Sequence, residues 1–398
     1  MNTVLVVGGG LAGLSTARRL RELGFEGSVT IVDPAPLPYD RPPLSKTFLL
    51  GETTEEGLLL ASAEWYAENK VEVLKDSVVA LRPDVELVSG ETIRADRVVL
   101  ATGSRARRLP ISGADLPGVR SLRTVADARR LREDLQPDRE LVIVGAGLIG
   151  AEVASTAHRL GLRVTLVDPV ETPLVPAVGR DLATYLHDMH RKAGIRVITG
   201  QAGEIRRDGS RYAVVLADGT ALQADTVLSA VGGVPDIGLA SAAGLATCDG
   251  IVVDANGRTS NPAVYAVGDS ARVRLADGTL TRRGEHWEAA RQSGERAAAA
   301  ILGAQVEPQV SSWFWSDRHG VHVEAFGRLR GLGTTVLRGR PGGPWAALHI
   351  NAAGYLVGAA AIDDSTTVRA ARRIAERRRQ VDPAELADPT TNLRKLAR

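Results

Sequence analysis

The hydrophobic pattern opens on an unbroken β-prone run at residues 4–7, which passes into Gly8, Gly10 and Gly13. Leu11, Leu14, Ala17 and Leu20 then recur at helical spacing, so residues 3–20 predict strand, tight turn and helix. After Gly24 a second strand, 29–32, ends on Asp33. The order repeats with a strand at 141–144, Gly145, Gly147 and Gly150, a helix over 149–160, a stop at Gly161 and a strand at 164–167 ending on Asp168. Further helices are predicted over 58–69, 125–135, 180–193, 287–302 and 368–379. Strands are predicted at 71–79, 98–101, around 197, at 212–216, 227–231, late in 259–267, and at 321–326, 345–350 and 355–359. The segment 34–46 is too rich in proline for regular helix.

Two strand–glycine–helix–strand units give the chain its chemistry. In the first, Gly8 makes the turn, Gly10 lets backbone approach a pyrophosphate, and Gly13 lets helix and strand pack closely. The pyrophosphate then meets free N–H groups at a helix N-terminus, and Asp33 is spaced to accept from an adenosine ribose. Gly145, Gly147, Gly150 and Asp168 repeat the arrangement. Two such units in one chain imply two dinucleotides, with electrons passing between them.

Around these units stand further candidates. Arg41 and Lys46 end the proline segment, which leaves directly from the strand carrying Asp33, so they read as a basic pair fixed against a cofactor ring. Ala101, Thr102 and Gly103 form a small-residue exit beside a bound cofactor, and Gly232 ends a similar exit. Gly268 and Asp269 follow a strand and suit ribityl hydroxyls or a helix N-terminus. Arg105, Arg107 and Arg108 read equally as a solvated turn or a ligand contact, and Arg123 as a surface arginine. His187 and His190 share a helix face at metal-binding spacing, but with no further ligands nearby they read as solvated, and no metal is expected. Trp313 and Trp315 read equally as a functional pair or an aromatic core cluster.

The expected fold class is α/β and glutathione-reductase-like: two Rossmann-type dinucleotide-binding domains and a C-terminal α+β domain. The expected boundaries are 1–112 with 235–303 for the first domain, 113–234 for the second and 304–398 for the third, where composition changes from Glu307 onward. The 398 residues, 44% hydrophobic and 24% charged, suit two or three globular domains. A net charge of +2 gives no global signal for nucleic acid or membrane. The single cysteine, Cys248, excludes a disulfide framework and a C-x-x-C pair, and with no signal peptide or membrane span in view the expected location is cytoplasmic.

RPPLSK at 41–46, ATG at 101–103, the second glycine motif ending in Glu152, GD at 268–269 and WFWSD at 313–317 resemble the FAD-dependent, NADH-linked ferredoxin reductases that serve oxygenases. The resemblance covers essentially the whole chain. It implies that Gly8, Gly10, Ala12, Gly13 and Asp33 hold the ADP part of FAD, with Val78 beside the adenine. Arg123, Asp269 and Trp287 complete that shell, and Lys46 lies against the flavin ring. Gly147, Leu148, Ile149, Gly150, Glu152 and Asp168 face NADH, with Glu152 near the nicotinamide. Trp315 lies near the flavin edge, toward an acidic [2Fe–2S] ferredoxin bound transiently. The sequence departs from the pattern at Arg318 and His319, where a glutamine is expected after Asp317, and at Asp236, where asparagine is common after the proline. The alternatives are an NADH sensor related to apoptosis-inducing factor and a rubredoxin- or quinone-type reductase. A disulfide reductase needs two cysteines near the flavin.

Overall fold

The computed structural model describes residues 1–82, 84–306 and 311–397, so the composition change at Glu307 lies outside the described residues. Contacts divide the chain into two compact units. The first contains Met1–Arg41, Thr54–Arg105 and the stretch from Gly233; the second contains Pro42–Thr53, Ala106–Gly232 and the C-terminal stretch.

In the first unit a parallel five-stranded sheet runs in the order Val264–Ala266, Arg97–Leu100, Thr3–Val7, Ser28–Asp33, Val71–Lys75. These strands are apolar runs because both faces are covered. Val4, Val6 and Ile31 pack with the glycine helix Leu11–Glu22 and with Ala297, Ala298 and Ile301 of the alanine-rich helix Trp287–Leu302. Leu5, Val7 and Val32 face a separate core with Val85, Leu87 and Ile251. The strand order reverses between Thr3–Val7 and Arg97–Leu100, which places a crevice at their carboxyl ends.

The second unit repeats this sheet as Arg196–Thr199, Arg163–Asp168, Glu140–Val144, Thr226–Ser229, Val119–Ser121, all parallel. It also holds an antiparallel sheet ordered Trp313–Arg318, Val321–Gly327, Leu356–Ile362, Trp345–Asn351, Gly333–Gly339. Helix Ser365–Glu376 buries Val368, Ala371 and Ile374 against one face of it. Helix Arg180–Lys192 buries Leu182 and Leu186 in a core shared with Val323, Ala325, Trp345 and Ala360.

Three sequence expectations change. The helix expected over 58–69 is limited to Ala63–Glu68, because the Ser62 side chain accepts from Trp65 N–H and caps it. The preceding residues form a short 3-10 turn, Glu56–Leu58, and Leu60 N–H bonds to the Pro38 carbonyl of the proline segment. The strand expected over 71–79 breaks into Val71–Lys75 and Val78–Leu81, since the Asp76 carboxylate accepts from Ser77 and Ser89 N–H groups and holds a turn. His187 and His190 are buried, not solvated: His190 is only 1% exposed and its Nδ1 lies 2.8 Å from His319 Nε2. Among the strands the pattern does not predict is Gly333–Gly339, an edge strand with most residues exposed, which therefore carries little apolar signal.

Burial, with Arg318 nearby, lowers the His190 imidazole to about 2; burial, with His158 and Arg318, lowers His319 to about 4. Both are therefore neutral in the folded chain at pH values where an unfolded imidazole, with an ordinary value near ~6.5, takes up a proton. Below that value the unfolded state binds more protons, so stability present above about 6.5 is lost as the pH falls toward 4. Thermal melts between pH 7 and 4.5 are expected to show a falling midpoint, with a shallower slope in His190→Gln. An equal slope in the variant shows that this pair does not set acid stability.

Candidate active site

In the first unit the glycine turn is fixed by main-chain sterics. Gly8 has φ 106°, a left-handed value unfavourable to other residues, and a Cβ there would sit 2.3 Å from the Ala101 carbonyl oxygen. A Cβ at Gly13 would sit 2.1 Å from the Gly8 carbonyl oxygen, so helix and strand meet only through glycine. Gly10 stands at the N-cap of Leu11–Glu22 and no side chain caps that helix. Its first N–H groups are thus oriented for an anion. Asp33 Oδ2 accepts from Gly9 N–H at 2.6 Å and Oδ1 from Ala35 N–H at 2.8 Å. These bonds aim the carboxylate, which retains lone pairs for ribose hydroxyls.

The same unit gathers other expected residues. Ala101 is buried beside Gly8, Thr102 Oγ1 donates to the Asp236 carbonyl at 2.7 Å, and Gly103 turns with φ 68°. Gly268 N–H bonds to Ser293 Oγ, and Asp269 Oδ2 accepts from Ser104 Oγ at 3.0 Å. Trp287 Nε1 donates to Asp40 Oδ1 at 3.0 Å, and the Arg41 guanidinium lies 5.8 Å from the Tyr39 ring. Val78 starts its strand half-buried against the apolar core below the sheet.

The second unit repeats the cradle. Gly145 also has φ 106°, and a Cβ at Gly150 would lie 1.9 Å from the Gly145 carbonyl oxygen. Gly147 is the uncapped N-cap of Leu148–Arg159, and Ile149 is exposed on its first turn. Asp168 Oδ2 accepts from Ala146 N–H at 2.7 Å and Oδ1 from Val170 N–H at 2.8 Å. Gly232 turns the chain with φ 95°. Arg123 precedes a capping box in which Thr124 and Asp127 start helix Val125–Asp134, and its own N–H donates to Asp127.

Beyond this cradle the glycine helix carries Glu152, 5% exposed. Ser45 donates to Glu152 Oε2, and Ser316 donates to Oε1 at 2.6 Å. Lys46 Nζ lies 3.4 Å from Glu152 Oε1 and 3.4 Å from Asp317 Oδ2, and 5.9 Å from the Trp315 ring centroid. Thr156 Oγ1 donates to the Ser45 carbonyl at 2.9 Å and ties the proline segment to the helix. Arg318 Nη2 donates to Ser316 Oγ at 2.7 Å. Burial lowers the Arg318 guanidinium to about 10 against the pull of Glu152 and Asp317, so it is still charged at neutral pH. The buried carboxylate is therefore surrounded by hydroxyl donors and two cations, as a buried charge requires.

Lys46, Glu152 and Trp315 thus come together within one unit, and Ser45, Ser316 and Asp317 join them. Sequence reasoning did not single out these three, although Ser45 stands inside RPPLSK and Ser316 and Asp317 inside WFWSD. Arg105 and Arg108 are exposed and pair with Asp236 and Asp115, as a solvated turn does. Among the described residues no group of metal-ligating side chains forms a metal site, and no helix is long and apolar enough to cross a membrane.

Comparison with known proteins agrees with this geometry. Residues 2–294 match the family described as pyridine nucleotide-disulphide oxidoreductase, and residues 313–397 match a reductase C-terminal domain. The chain is 39% identical to the chlorobenzene dioxygenase ferredoxin reductase component of Cupriavidus sp. (strain PS12), covering 99% of this chain and 97% of that one. It is 38% identical to the benzene 1,2-dioxygenase system ferredoxin–NAD(+) reductase subunit of Pseudomonas putida, covering 100% and 98%. The reductase in the crystal structure of the covalent putidaredoxin reductase–putidaredoxin complex superposes with a TM-score of 0.92 at 32% identity, over 99% of this chain and 98% of that one. The chain belongs to the pyridine nucleotide-disulphide oxidoreductase family, among the ferredoxin reductases of oxygenase systems.

Proposed function

We propose that this protein oxidises NADH and passes the electrons, through bound FAD, to a small [2Fe–2S] ferredoxin that feeds a monooxygenase or dioxygenase. The observation that carries this reading is the pair of glycine cradles, each facing a carboxylate held by backbone N–H groups. FAD, when bound, supplies the conversion of a two-electron donor into single electrons. The residues fit it: Gly8 and Gly13 allow the tight turn and close helix approach, Gly10 leaves the helix with Ala12 on its first turn uncapped by any side chain and so suited to a pyrophosphate, with the Arg41 cation beside it, and Asp33 presents an aimed carboxylate to a ribose. Arg41, Val78, Asp269 and Trp287 complete the proposed FAD set, and Arg123 and Trp315 keep the roles that the resemblance implies. Gly145, Gly147, Gly150 and Asp168 serve NADH. Lys46 supplies positive charge that favours electron acceptance, and Glu152 fixes where that charge is held. In this division residues 1–112 with 235–303 bind FAD, 113–234 bind NADH, and 304–398 serve the ferredoxin side. The proposed compartment is the cytoplasm, where NADH is supplied.

The purified protein is expected to be yellow, and Asp33→Ala to weaken FAD retention about tenfold, as loss of a charged hydrogen-bond acceptor does. Flavin absorbance per protein after gel filtration reads this. A colourless, folded wild type that cannot be reconstituted with FAD overturns the function.

NADH is expected to be preferred over NADPH by at least about tenfold in kcat/KM, since Asp168 repels a 2′-phosphate and the following residues 169–173 hold no arginine to pair with one. Ferricyanide reduction with each nucleotide measures the ratio, which Asp168→Ala should narrow.

A positive surface on helix Ser365–Glu376 is the proposed steering patch for the acidic ferredoxin. Arg372 pairs with Glu376 at 3.0 Å, whereas Arg369, Arg373 and Arg394 line an open groove of about 270 Å³. Charge steering raises association rates and weakens as salt rises. Arg369→Glu/Arg373→Glu is expected to raise KM for ferredoxin in cytochrome c reduction several-fold at low salt and to leave NADH–ferricyanide kinetics unchanged. A salt dependence that survives the reversal places the dock on another surface.

A further inference from the structure

Outside the residues that the proposed function uses, one titratable side chain is wired into the Lys46 cluster. His322 stands on Val321–Gly327, paired in register with Asp317 on the neighbouring strand Trp313–Arg318. Its Nδ1 lies 2.6 Å from Asp317 Oδ1 and its Nε2 lies 3.1 Å from Glu324 Oε1. The other oxygen of Asp317 is the one that faces Lys46 Nζ. Glu324 is pinned in turn by the Ser365 hydroxyl at 2.7 Å. Asp363 Oδ1 accepts the His322 backbone N–H at 2.8 Å, and the buried Arg318 guanidinium, on the strand that carries Asp317, is also drawn to that carboxylate.

The two carboxylates bracket one imidazole. A neutral imidazole has one N–H and can donate to only one of them; the doubly protonated ring donates to both. The geometry therefore selects the imidazolium. We propose that His322 is a positioning residue for Lys46: its charge offsets Asp317, so that protonation of His322 sets how much of the Lys46 charge is left to act on the flavin. Burial pulls the His322 imidazole down, but hydrogen bonds to Asp317 and Glu324 outweigh it and leave the group raised above its ordinary value. The transition thus falls on the alkaline side of ordinary histidine. Above the transition Asp317 opposes Lys46 with its full charge; below it the opposition is shared with His322. Asp317 is 42% and His322 38% exposed, so solvent screens the effect and the step is modest.

The inference rests on the proposed reductase activity for its kinetic consequence, but not for its structural one. The structural arm follows His322 by NMR titration of imidazole-labelled protein. Asp317→Asn is expected to lower the midpoint of His322, and Lys46→Met to raise it, because Asp317 then has one cation fewer to serve. Opposite shifts from two substitutions are not what a merely structural role produces. The kinetic arm measures stopped-flow reduction by NADH against pH. The wild type is expected to slow about two- to fivefold through the NMR midpoint, the size suited to one half-exposed ion pair. His322→Gln should run at the slow level throughout and His322→Lys, with a fixed charge, at the fast level. A His322 midpoint that ignores Asp317 and Lys46, or a kinetic inflection that persists in His322→Gln, overturns the proposal. Absence of any reduction by NADH, with the NMR coupling intact, overturns the proposed function and leaves the wiring standing.

Discussion

Burying the carboxylate of Glu152 is the constraint on which the second unit depends. A carboxylate 5% exposed must find hydrogen bonds and opposite charge inside the protein. Here it draws them from two other segments of chain: Ser45 and Lys46 from the proline-rich stretch, and Ser316, backed by Arg318, from the first C-terminal strand. Removing one partner of such a buried pair costs about 3–5 kcal/mol, because the remaining charge is stranded. The cost explains why Lys46 is held so firmly although lysine is among the most mobile side chains. A long flexible cation has become a fixed point charge.

The two nucleotide cradles follow a different logic. Each is made almost wholly by main chain, with the turn, the close helix approach and the aimed carboxylate repeated nearly atom for atom. Their difference lies in what stands over the middle glycine. Space above Gly10 is taken by the Arg41 guanidinium, 3.0 Å from where a Cβ would be, whereas a Cβ at Gly147 meets nothing within 4 Å. One cradle thus has a cation beside its middle glycine, and the other has none within that distance.

What the sequence disclosed was what local chain geometry controls. The glycine–acid units declare themselves because turn, helix and carboxylate lie within about twenty-five residues of each other, and helix Trp287–Leu302 shows because its small residues recur at helical spacing. The misreadings have long-range causes. His190 looked solvated because its partner, His319, is 129 positions away. The helix expected from residue 58 begins later because a serine cap and a carbonyl of the proline segment compete for that backbone. Lys46 is legible from its place at the end of the proline segment, Glu152 and Trp315 only through resemblance to a family, and the hydroxyls of Ser45 and Ser316 beside them carry no chemical pattern of their own. His322 is less visible still, since its meaning comes wholly from the strand next to it.

The proline stretch has one more consequence, and it concerns time. Residues Pro42–Thr53 are made early on the ribosome, yet they belong with a unit whose other parts come much later. Ser316 trails Lys46 by 270 positions, which at about 5–20 residues per second is tens of seconds of synthesis. Until then Lys46 and, once made, Glu152 have only part of their final surroundings. The nascent chain must carry this segment in an unfinished state, and the second unit closes only when the far end of the protein has emerged.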